Sequence, residues 1–469
     1  MSITSLDLNT YKQNLSVNND NKLKYGEIFT PFSLIESMFS LFPPEIFYEP
    51  SLTWLDPGAG TGYFSMFLYF KLFQTLKDSI PDNAARSKHI IEHMIFMVEI
   101  NPVHIQHLKH IFGEKANILN HNFLDTTQNL LFKRKFDVVI GNPPFNNSGM
   151  KKVPTNTKAT KKQDGKTVWG DFVKVSISLL KPNGLLCFIT PSIWMKPDKS
   201  RLYYYITQYK IHKLHALNNT KTNQIFKGAA QTPCAFYLLE KCATDNKIGI
   251  YDYDIKDYIN YSLQIDNPIP VFGVSIINKL LKHQTNNNKL LVHKTNLKSK
   301  YCKLFDNPGE NLYINIDTCK LDGITPKLHF KYSSHPCSYY NKRKLVMAHG
   351  MYGFPYLDIK GEYGISNRDK YVILRENEEE LKRLQRFFST KTALYLFEAT
   401  RYRMKYLEKY VFQLIPDITK LAGFPEKIND NTIAEYFGFS EEERSAIDNL
   451  HAKKYKFFIA EKKALKKEH

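Results

Sequence analysis

The stretch Gly141-Asn142-Pro143-Pro144-Phe145 directly follows the apolar run Phe136-Asp137-Val138-Val139-Ile140. Together they predict a buried strand that ends in a short polar loop. Such a loop places an amide side chain, a proline carbonyl and an aromatic ring at one strand end. The amide and carbonyl oxygens can accept both N–H bonds of a planar amino group, while the ring stacks on the attached heterocycle. We therefore expect this loop to position an amino group as a nucleophile.

Strand-like and helix-like segments alternate over the first half of the chain. The predicted strands are 52–55, 94–99, 118–123, 136–140, 185–190, 211–217 and 234–240, and the predicted helices are 64–76, 102–112 and 169–180. This alternation predicts an α/β fold with a mostly parallel, doubly wound sheet. Such sheets bind ligands at the carboxyl ends of their strands, which is where the conspicuous loops fall.

The loop Asp56-Pro57-Gly58-Ala59-Gly60-Thr61-Gly62 follows the first predicted strand. Its glycines allow a sharp turn and the close approach of a ligand to the backbone. Dinucleotide loops have the spacing G-x-G-x-x-G, with a helix N-terminus that binds a pyrophosphate. Here the spacing is G-x-G-x-G with an acid before it, which disfavours phosphate. The pattern predicts a site for S-adenosylmethionine, which has an ammonium, a sulfonium and no phosphate.

Acidic residues after two further strands are candidates for the same site. Glu99 ends the second predicted strand, where a carboxylate can accept from both ribose hydroxyls. Asp125 is placed to accept from the adenine amino group of the cofactor, and we expect Ile100, Phe123 and Asn142 to line the site as well. Either acid alone is more often a solvated strand end, but the glycine loop and Asn142 favour the functional interpretation.

With these motifs in this order, the chain resembles the N6-adenine DNA methyltransferases of gamma-type motif order, a type II restriction–modification family. The resemblance covers residues 24–241 and, more loosely, 343–421. It implies S-adenosylmethionine as methyl donor, S-adenosylhomocysteine as product, and an adenine flipped out of duplex DNA as substrate. It also implies a seven-stranded-type methyltransferase domain followed by an α+β target-recognition domain.

The resemblance also assigns residues outside the two loops. The segment Tyr25-Gly26-Glu27-Ile28-Phe29-Thr30-Pro31 is implied to close over the methionine end of the cofactor, with Thr30 and Pro31 in the site. Thr30 is also predicted to cap a helix that begins at Pro31. Phe145 stands where many relatives have Tyr, which keeps the stacking ring. Phe226 is assigned as a second stacking aromatic, with an ordinary core role for Phe226, or Tyr63 in its place, as the alternatives.

The resemblance implies a simple reaction. Flipping the base costs a few kcal/mol, and stacking returns roughly 1–3 kcal/mol for each ring contact. Asn142 and the Pro143 carbonyl accept from N6, and the nitrogen attacks the methyl group in line. Proximity and orientation supply most of the gain, so we expect neither a metal ion nor a covalent nucleophile.

Basic residues in two regions are predicted to contact DNA phosphates or bases. The formal net charge of +19 and the sequence pI near 9.3 favour a polyanionic partner, although a Lys-rich composition alone leaves that question open. The predicted contacts are Lys151, Lys152, Lys158, Lys161, Lys162 and Lys166 after the catalytic loop, and Lys342, Arg343, Tyr352, Arg401 and Arg403 in the second half.

Composition and length set the remaining expectations. We predict a catalytic domain over 1–245, a target-recognition domain over 246–425, and a helical appendix with a basic tail over 426–469. In the second domain we expect an exposed loop at 284–289, a basic and aromatic segment at 349–356 that contacts DNA, and helices over 377–388 and 392–406, with Asn377 as the cap of the first. The six cysteines do not pair as C-x-x-C, so we expect free thiols in a reducing compartment and no metal site. Cys187 and Cys234 lie in apolar strand-like runs, where we expect their thiols to be buried. We expect no membrane segment and a cytoplasmic location, either at a bacterial nucleoid or in a virus-infected host cell.

Three alternative functions remain open at this stage. The first is a methyltransferase for RNA (guanine-N2 or adenine-N6) or for protein, since related Asn-Pro-Pro motifs occur there. The second is a fused restriction–modification enzyme, or the methyltransferase part of a restriction–modification system with a separate cognate nuclease. The third is a DNA-binding protein without activity, against which the intact loops argue. The recognition sequence and the oligomeric state do not follow from the sequence.

Overall fold

A computed structural model describes residues 30–125, 133–146, 167–228, 232–295, 302–322, 325–350, 353–366, 370–403 and 406–450. The chain forms two compact units. The first contains Met1–Trp194 and Asp198–Gly249, and the second contains Met195–Pro197 and Ile250–His469. The predicted domain limits at 245 and 425 stay predictions.

The first unit contains seven consecutive strands of a nine-stranded sheet, which has the order β3-β2-β1-β4-β5-β7-β6-β8-β9. Its strands are β1 (Trp54–Asp56), β2 (Ile95–Glu99), β3 (Asn117–Asn120), β4 (Phe136–Gly141), β5 (Leu180–Pro191), β6 (Tyr209–Leu217) and β7 (Cys234–Ala243). Strands β1 to β5 pair in parallel, and β7 runs antiparallel to both of its neighbours. The predicted α/β class with a mostly parallel sheet is confirmed for this unit.

Helices connect these strands. They are α1 (Phe32–Phe39), α2 (Tyr63–Thr75), α3 (Asn83–His89), α4 (Pro102–Phe112), α5 (Trp169–Leu179), α6 (Leu202–Thr207) and α7 (Asn219–Ile225), with a π-helical turn at Ile90–Met94. Helix α4 has the predicted bounds because Asn101 caps it, accepting from the Val103 N–H, and Pro102 occupies its first turn. The short helices α3, α6 and α7 were not predicted, since each spans two turns or fewer and lacks a long apolar period.

The central strands are buried because both faces of a parallel sheet are covered. Trp54 of β1 is fully buried, and its ring stacks on Phe47 with centroids 5.6 Å apart. In β4, Val139 is also fully buried, as the unbroken apolar run predicts. The expected burial of the Cys187 and Cys234 thiols in β5 and β7 is confirmed.

The second unit combines two four-stranded sheets with helices. One sheet has the order β10-β17-β14-β15, and the other has the order β11-β13-β12-β16. Strand β8 (Lys247–Asp252) crosses the boundary between the units, and the following strands are β9 (Asp257–Ser262), β10 (His293–Lys294), β11 (Leu304–Phe305), β12 (Tyr313–Asp322), β13 (Thr325–Ser333), β14 (Lys344–Ala348), β15 (Tyr356–Asp358), β16 (Gly364–Ile365) and β17 (Lys370–Leu374). The helices are α8 (Val274–Lys282), α9 (Glu378–Phe388), α10 (Lys391–Ala399), α11 (Asp430–Phe437) and α12 (Glu441–Asp448).

Helix ends in this unit test the capping predictions. Asn377 caps α9 as predicted, accepting from the Glu379 N–H. The helix predicted over 392–406 is wrong in its second half, because α10 ends at Ala399, where the Thr400 hydroxyl and N–H both donate to the Phe397 carbonyl. The predicted exposed loop 284–289 contains a short 3-10 turn, in which Asn288 is buried in a capping box with Thr285.

A buried ion pair fixes the β14–β15 edge. Lys344 and Asp358 are cross-strand partners, their side chains are 0% and 1% exposed, and Nζ lies 2.5 Å from Oδ2. Lys344 also donates to the Lys342 carbonyl. The Asp358 carboxylate accepts from the N–H groups of Glu362 and Tyr363. Every charged atom in this pair therefore has a partner, which is the condition under which a buried pair is tolerated.

We predict that Asp358→Asn destabilises the protein by about 3 kcal/mol or more, because it leaves the Lys344 ammonium buried without a counter-charge. The measurement is urea unfolding followed by circular dichroism. Glu379→Gln, in the exposed pair with Lys382 on α9, serves as the control and should leave the midpoint unchanged. Equal midpoints for the two variants would show that the buried pair contributes nothing.

Candidate functional site

The glycine loop makes a tight turn between β1 and α2. The Ala59 N–H donates to the Val98 carbonyl over 3.0 Å, and the Gly62 N–H donates to the Ala59 carbonyl over 2.8 Å. Gly62 has φ +90°, and a Cβ built there would lie 2.7 Å from Leu108 Cδ2. Both the backbone angle and the packing against α4 therefore require glycine at this position.

Glu99 ties the glycine loop to the end of β2. Its Oε2 accepts from the Gly60 N–H over 2.8 Å, and its Oε1 accepts from the Asn101 N–H over 2.7 Å. The side chain of His104 also approaches, with Nδ1 3.8 Å from Oε1. An ionised carboxylate has about four acceptor sites, so two backbone bonds leave capacity for a pair of ligand hydroxyls. Glu99 is thus held in a fixed orientation and remains able to bind a diol.

Asp56 is a buried acid at the end of β1. It is 3% exposed, and it accepts from the Ser65 hydroxyl over 3.1 Å and from the Gly58 N–H over 3.4 Å. Burial raises the pKa of Asp56 to about 7, with a smaller contribution from the negative charge of Glu99, while the two hydrogen bonds act in the opposite direction. A cation bound beside Asp56 would stabilise its charged form.

Asn142 follows β4 and is held by Thr30. The Asn142 Nδ2 donates to the Thr30 Oγ1 over 2.9 Å. Its Oδ1 is buried and has no hydrogen-bond partner among the residues that the structure describes. A buried amide oxygen without a partner is costly in a folded protein. The side chain therefore presents an acceptor for which the described part of the chain supplies no donor.

The predicted capping role of Thr30 is wrong. The N-cap residue of α1 is Pro31, and the helix has no side-chain cap bond. Thr30 is 7% exposed, and its hydroxyl accepts from Asn142 instead of from the first turn of the helix. The sequence contained no signal for this bond, because the two residues are 112 positions apart.

The loops after β1 and β4 touch each other because these strands are neighbours in the sheet. A Cβ built on Gly141 would lie 3.2 Å from Asp56 Oδ1 and 3.5 Å from Pro57 Cδ. A Cβ on Gly58 would lie 3.9 Å from Pro144 Cδ. The structure therefore places the predicted cofactor loop and the predicted catalytic loop side by side.

Phe172 is a neighbour of this site that sequence reasoning missed. A Cβ built on Gly58 would lie 3.9 Å from Phe172 Cε1. The Phe172 ring also packs against Phe123, with centroids 5.1 Å apart and both side chains buried. The only available signal was its place in the first turns of the amphipathic helix that follows the catalytic loop, a pattern typical of any core residue.

The other predicted cofactor residues are less enclosed. Ile100 is 50% exposed at the end of β2. Asp125 is exposed at the end of a turn, in which its N–H donates to the Asn122 carbonyl. Pro31 is half-buried at the start of α1. The roles predicted for these residues stay predictions.

The aromatic residues differ in accessibility. Phe145 is half-buried, and its carbonyl accepts from the Val168 N–H over 3.1 Å. Phe226 follows α7 and is 4% exposed, so its ring has almost no free surface in this conformation. The alternative, Tyr63, is 7% exposed and packs edge-on against Phe32. The assignment of Phe226 as the second stacking ring stays a prediction.

The predicted DNA-contacting residues fall into two groups. Outside the described residues lie Lys151, Lys152, Lys158, Lys161, Lys162, Lys166 and Tyr352. In the second unit, Lys342 and Arg343 are exposed, and Arg343 donates to the Glu376 carbonyl. Arg401 pairs with Glu398 over 3.0 Å, and Arg403 lies 3.6 Å from the Glu408 carboxylate. The four described side chains therefore lie at or near the protein surface.

Neither a metal site nor a membrane span is found among the described residues. No group of three or more His, Cys, Asp or Glu side chains in that part of the chain is arranged to hold a metal ion. None of the helices in the same ranges combines the length and the apolar character that crossing a bilayer requires.

The central part of the chain matches a family model. Residues 45–226 match the Eco57I restriction-modification methylase family. The segment contains both loops of the site, and the predicted resemblance to restriction–modification adenine methylases is confirmed for it.

Known proteins show weaker likenesses. An uncharacterized adenine-specific methylase of Mycoplasma pneumoniae is 25% identical, over 36% of this chain and 56% of the relative. The chain thus spans little more than half the length of that relative. A modification subunit of a putative type I restriction enzyme from Vibrio vulnificus is 17% identical over 55% of this chain and 54% of its own, with a TM-score of 0.35. The Type ISP restriction-modification enzyme LlaBIII, whose structure was solved bound to DNA, is 14% identical over 62% of this chain and 25% of its own, with a TM-score of 0.41.

We predict that Asp56→Asn makes the protein more stable above about pH 7. Because folding raises the pKa of Asp56 from 3.8 to about 7, the folded state binds more protons between these values, and stability falls as the pH rises through them. The Asn side chain does not titrate, so the variant keeps its free energy of unfolding where that of the wild type falls. The difference in free energy of unfolding, on the order of a few kcal/mol at most, should appear above about pH 7 and vanish near pH 4.

Asp137→Asn is the matched control because its dependence has the opposite sign. Partial burial tends to raise the pKa of Asp137, but hydrogen bonds from Lys181 and Thr53 outweigh it and lower the pKa. This carboxylate stabilises the fold at neutral pH and loses that effect as the pH falls. Urea unfolding across the pH range checks both variants. If the free energy of unfolding has the same pH dependence in Asp56→Asn as in the wild type, the raised pKa of Asp56 is contradicted.

Proposed function

We propose that this protein is a site-specific DNA methyltransferase that transfers a methyl group from S-adenosylmethionine to N6 of a flipped-out adenine in duplex DNA. The single observation that supports this most strongly is the buried Oδ1 of Asn142 beside the glycine loop, for which the described residues supply no hydrogen-bond partner. An exocyclic amino group supplies the donor that this oxygen lacks.

The Thr30 hydroxyl determines which atom of the Asn142 side chain faces the substrate. Because Nδ2 of Asn142 donates to the threonine hydroxyl, the oxygen of the amide is the atom left for the substrate. With the Pro143 carbonyl as second acceptor, both N–H bonds of N6 are engaged and the nitrogen lone pair is directed out of the ring plane. Phe145 stacks on the base. No side chain of this set needs to remove a proton before transfer, because orientation provides the main gain.

The residues around the glycine loop suit S-adenosylmethionine. Asp56 offers a carboxylate to the ligand's cationic amino acid end, and Glu99 offers acceptor capacity to the ribose hydroxyls. The turn at Gly58 and Gly60 leaves the backbone open to a ligand. When bound, this cofactor supplies an activated methyl group on sulfur. Phe123, Asp125, Ile100 and Pro31 complete the proposed cofactor set, whereas Thr30 is proposed to act by positioning Asn142.

Adenine in DNA is favoured over the other amino substrates by the family match. The matched family is one of restriction–modification methylases, and the Mycoplasma pneumoniae relative is described as adenine-specific. We therefore propose that the protein is a cytoplasmic enzyme of a restriction–modification system. Its proposed partners are duplex DNA and a separate cognate nuclease. The lysines of 151–166, Lys342, Arg343, Tyr352, Arg401 and Arg403 are proposed DNA contacts.

We predict that Asn142→Ala lowers the single-turnover rate of methyl transfer to duplex DNA by about 100-fold or more, since a preorganised polar partner of the reacting group is lost. Labelled cofactor and nucleoside analysis give the rate and the modified base. Asn278→Ala, a half-buried position on α8 in the second unit, is the control. Unimpaired transfer by Asn142→Ala would refute the proposed role.

Thr30 gives a second and independent test. We predict that Thr30→Val, which removes the oxygen that accepts from Asn142, lowers the turnover rate by about 10-fold or more. Thr30→Ser keeps the oxygen and should retain most of the rate. Cofactor binding by calorimetry separates this positioning role from a direct cofactor contact, because positioning predicts an unchanged dissociation constant for Thr30→Val. Equal turnover rates for Thr30→Val and Thr30→Ser would exclude the positioning role of the Thr30 hydroxyl.

A further inference from the structure

Strands β12 and β13 form a long antiparallel ribbon in the second unit. One face of the ribbon is apolar, because the cross-strand pairs Cys319–Leu328 and Ile316–Phe330 point toward a cluster that includes Val346 of β14. Side chains alternate along each strand, so the intervening residues point to the other side. The apolar face packs against this cluster, whereas no such cluster of described residues covers the other face.

The opposite face is polar and basic. Lys320 is directly opposite Lys327, and Thr318 is directly opposite His329. Lys320, Lys327 and His329 are exposed. We name these four residues the ribbon face. Asp322 is an exposed acid at the hairpin end, opposite Thr325.

Neither lysine of the ribbon face has an ion-pair partner in the described part of the protein, although Asp322 lies on the same face. No ion pair between described residues involves Lys320 or Lys327. By contrast, Lys331, farther along β13, pairs with Asp306. Like charges directly opposite each other on a sheet destabilise the pair. Stability of the free protein therefore gives no reason for two lysines at this position, whereas binding of a polyanion does.

The neighbouring backbone connects this surface to the segment already predicted to contact DNA. Gly353 forms a bridge with Lys320, and a Cβ on Gly353 would lie 2.8 Å from the Cys319 carbonyl. Gly353 belongs to the basic and aromatic segment 349–356. The ribbon face and this segment are therefore adjacent on the same unit, although no residue of the ribbon was among the sequence-based candidates.

We propose that the ribbon face is a binding surface for duplex DNA, with Lys320 and Lys327 on phosphates and Thr318 and His329 between them. A two-stranded ribbon is narrow enough to enter the major groove, and paired lysines match the negative charge along its rim. This inference rests on the proposed DNA methyltransferase function and identifies where the second unit contacts its substrate.

The test compares Lys320→Gln/Lys327→Gln with a matched control, Lys282→Gln/Lys427→Gln. All four lysines are exposed and in the second unit, and both double variants remove two positive charges. Anisotropy titrations of a short fluorescent duplex over a range of salt concentrations give the dissociation constants. The ribbon variant should bind more weakly at low salt, and its slope of log K against log salt should be shallower by about 1.8, or 0.9 for each lost phosphate contact. The control slope should match the wild type.

The outcomes separate this inference from the proposed function. Thermal unfolding should show an unchanged or higher midpoint for the ribbon variant, because a repulsion has been removed. A ribbon slope equal to that of the control, with methyl transfer by the wild type intact, would overturn the binding surface alone. A wild type that neither binds duplex nor methylates it would overturn both proposals. If the ribbon variant binds duplex DNA as the wild type does but binds an acidic protein more weakly, the ribbon face belongs to a protein partner and the proposed DNA-binding surface is rejected.

Discussion

The hydrogen bond from Asn142 Nδ2 to Thr30 Oγ1 is the contact on which the proposed chemistry depends. A free amide presents a donor and an acceptor equally, and rotation exchanges them. With the donor engaged over 2.9 Å, the acceptor alone remains for a ligand. Because that oxygen is buried, binding an amino group repairs a missing hydrogen bond instead of exchanging one for water. The same contact thus orients the substrate and favours its binding.

The sheet explains why these groups meet. Strands β1, β2 and β4 are neighbours in the order β2-β1-β4, and their carboxyl ends lie on one edge. Glu99 fastens the glycine loop to β2, while Gly141 leaves room for the Asp56 carboxylate. The described parts of these loops are held by hydrogen bonds from neighbouring elements, so the sheet sets the positions of the site residues. This is the usual location of ligand sites in open α/β sheets.

Much of this arrangement was predictable from local patterns. The run Phe136–Ile140 predicted β4, and Pro102 predicted the start of α4, because apolar periodicity and proline preferences act over a few residues. The proximity of Asp56, Glu99 and Asn142 followed from strand order alone. The Thr30–Asn142 bond did not, since no local pattern connects residues so far apart in sequence. The ribbon face was missed for a related reason, because cross-strand register is set by the turn and the buried face.

The most direct test of this account is a crystal structure of the protein with duplex DNA and a non-reactive analogue of S-adenosylmethionine. The account predicts an extruded adenine whose N6 lies within hydrogen-bond distance of Asn142 Oδ1, with Nδ2 of the same amide still on Thr30. A base that remains stacked in the duplex, or one that is extruded while Oδ1 stays unpartnered, would contradict it.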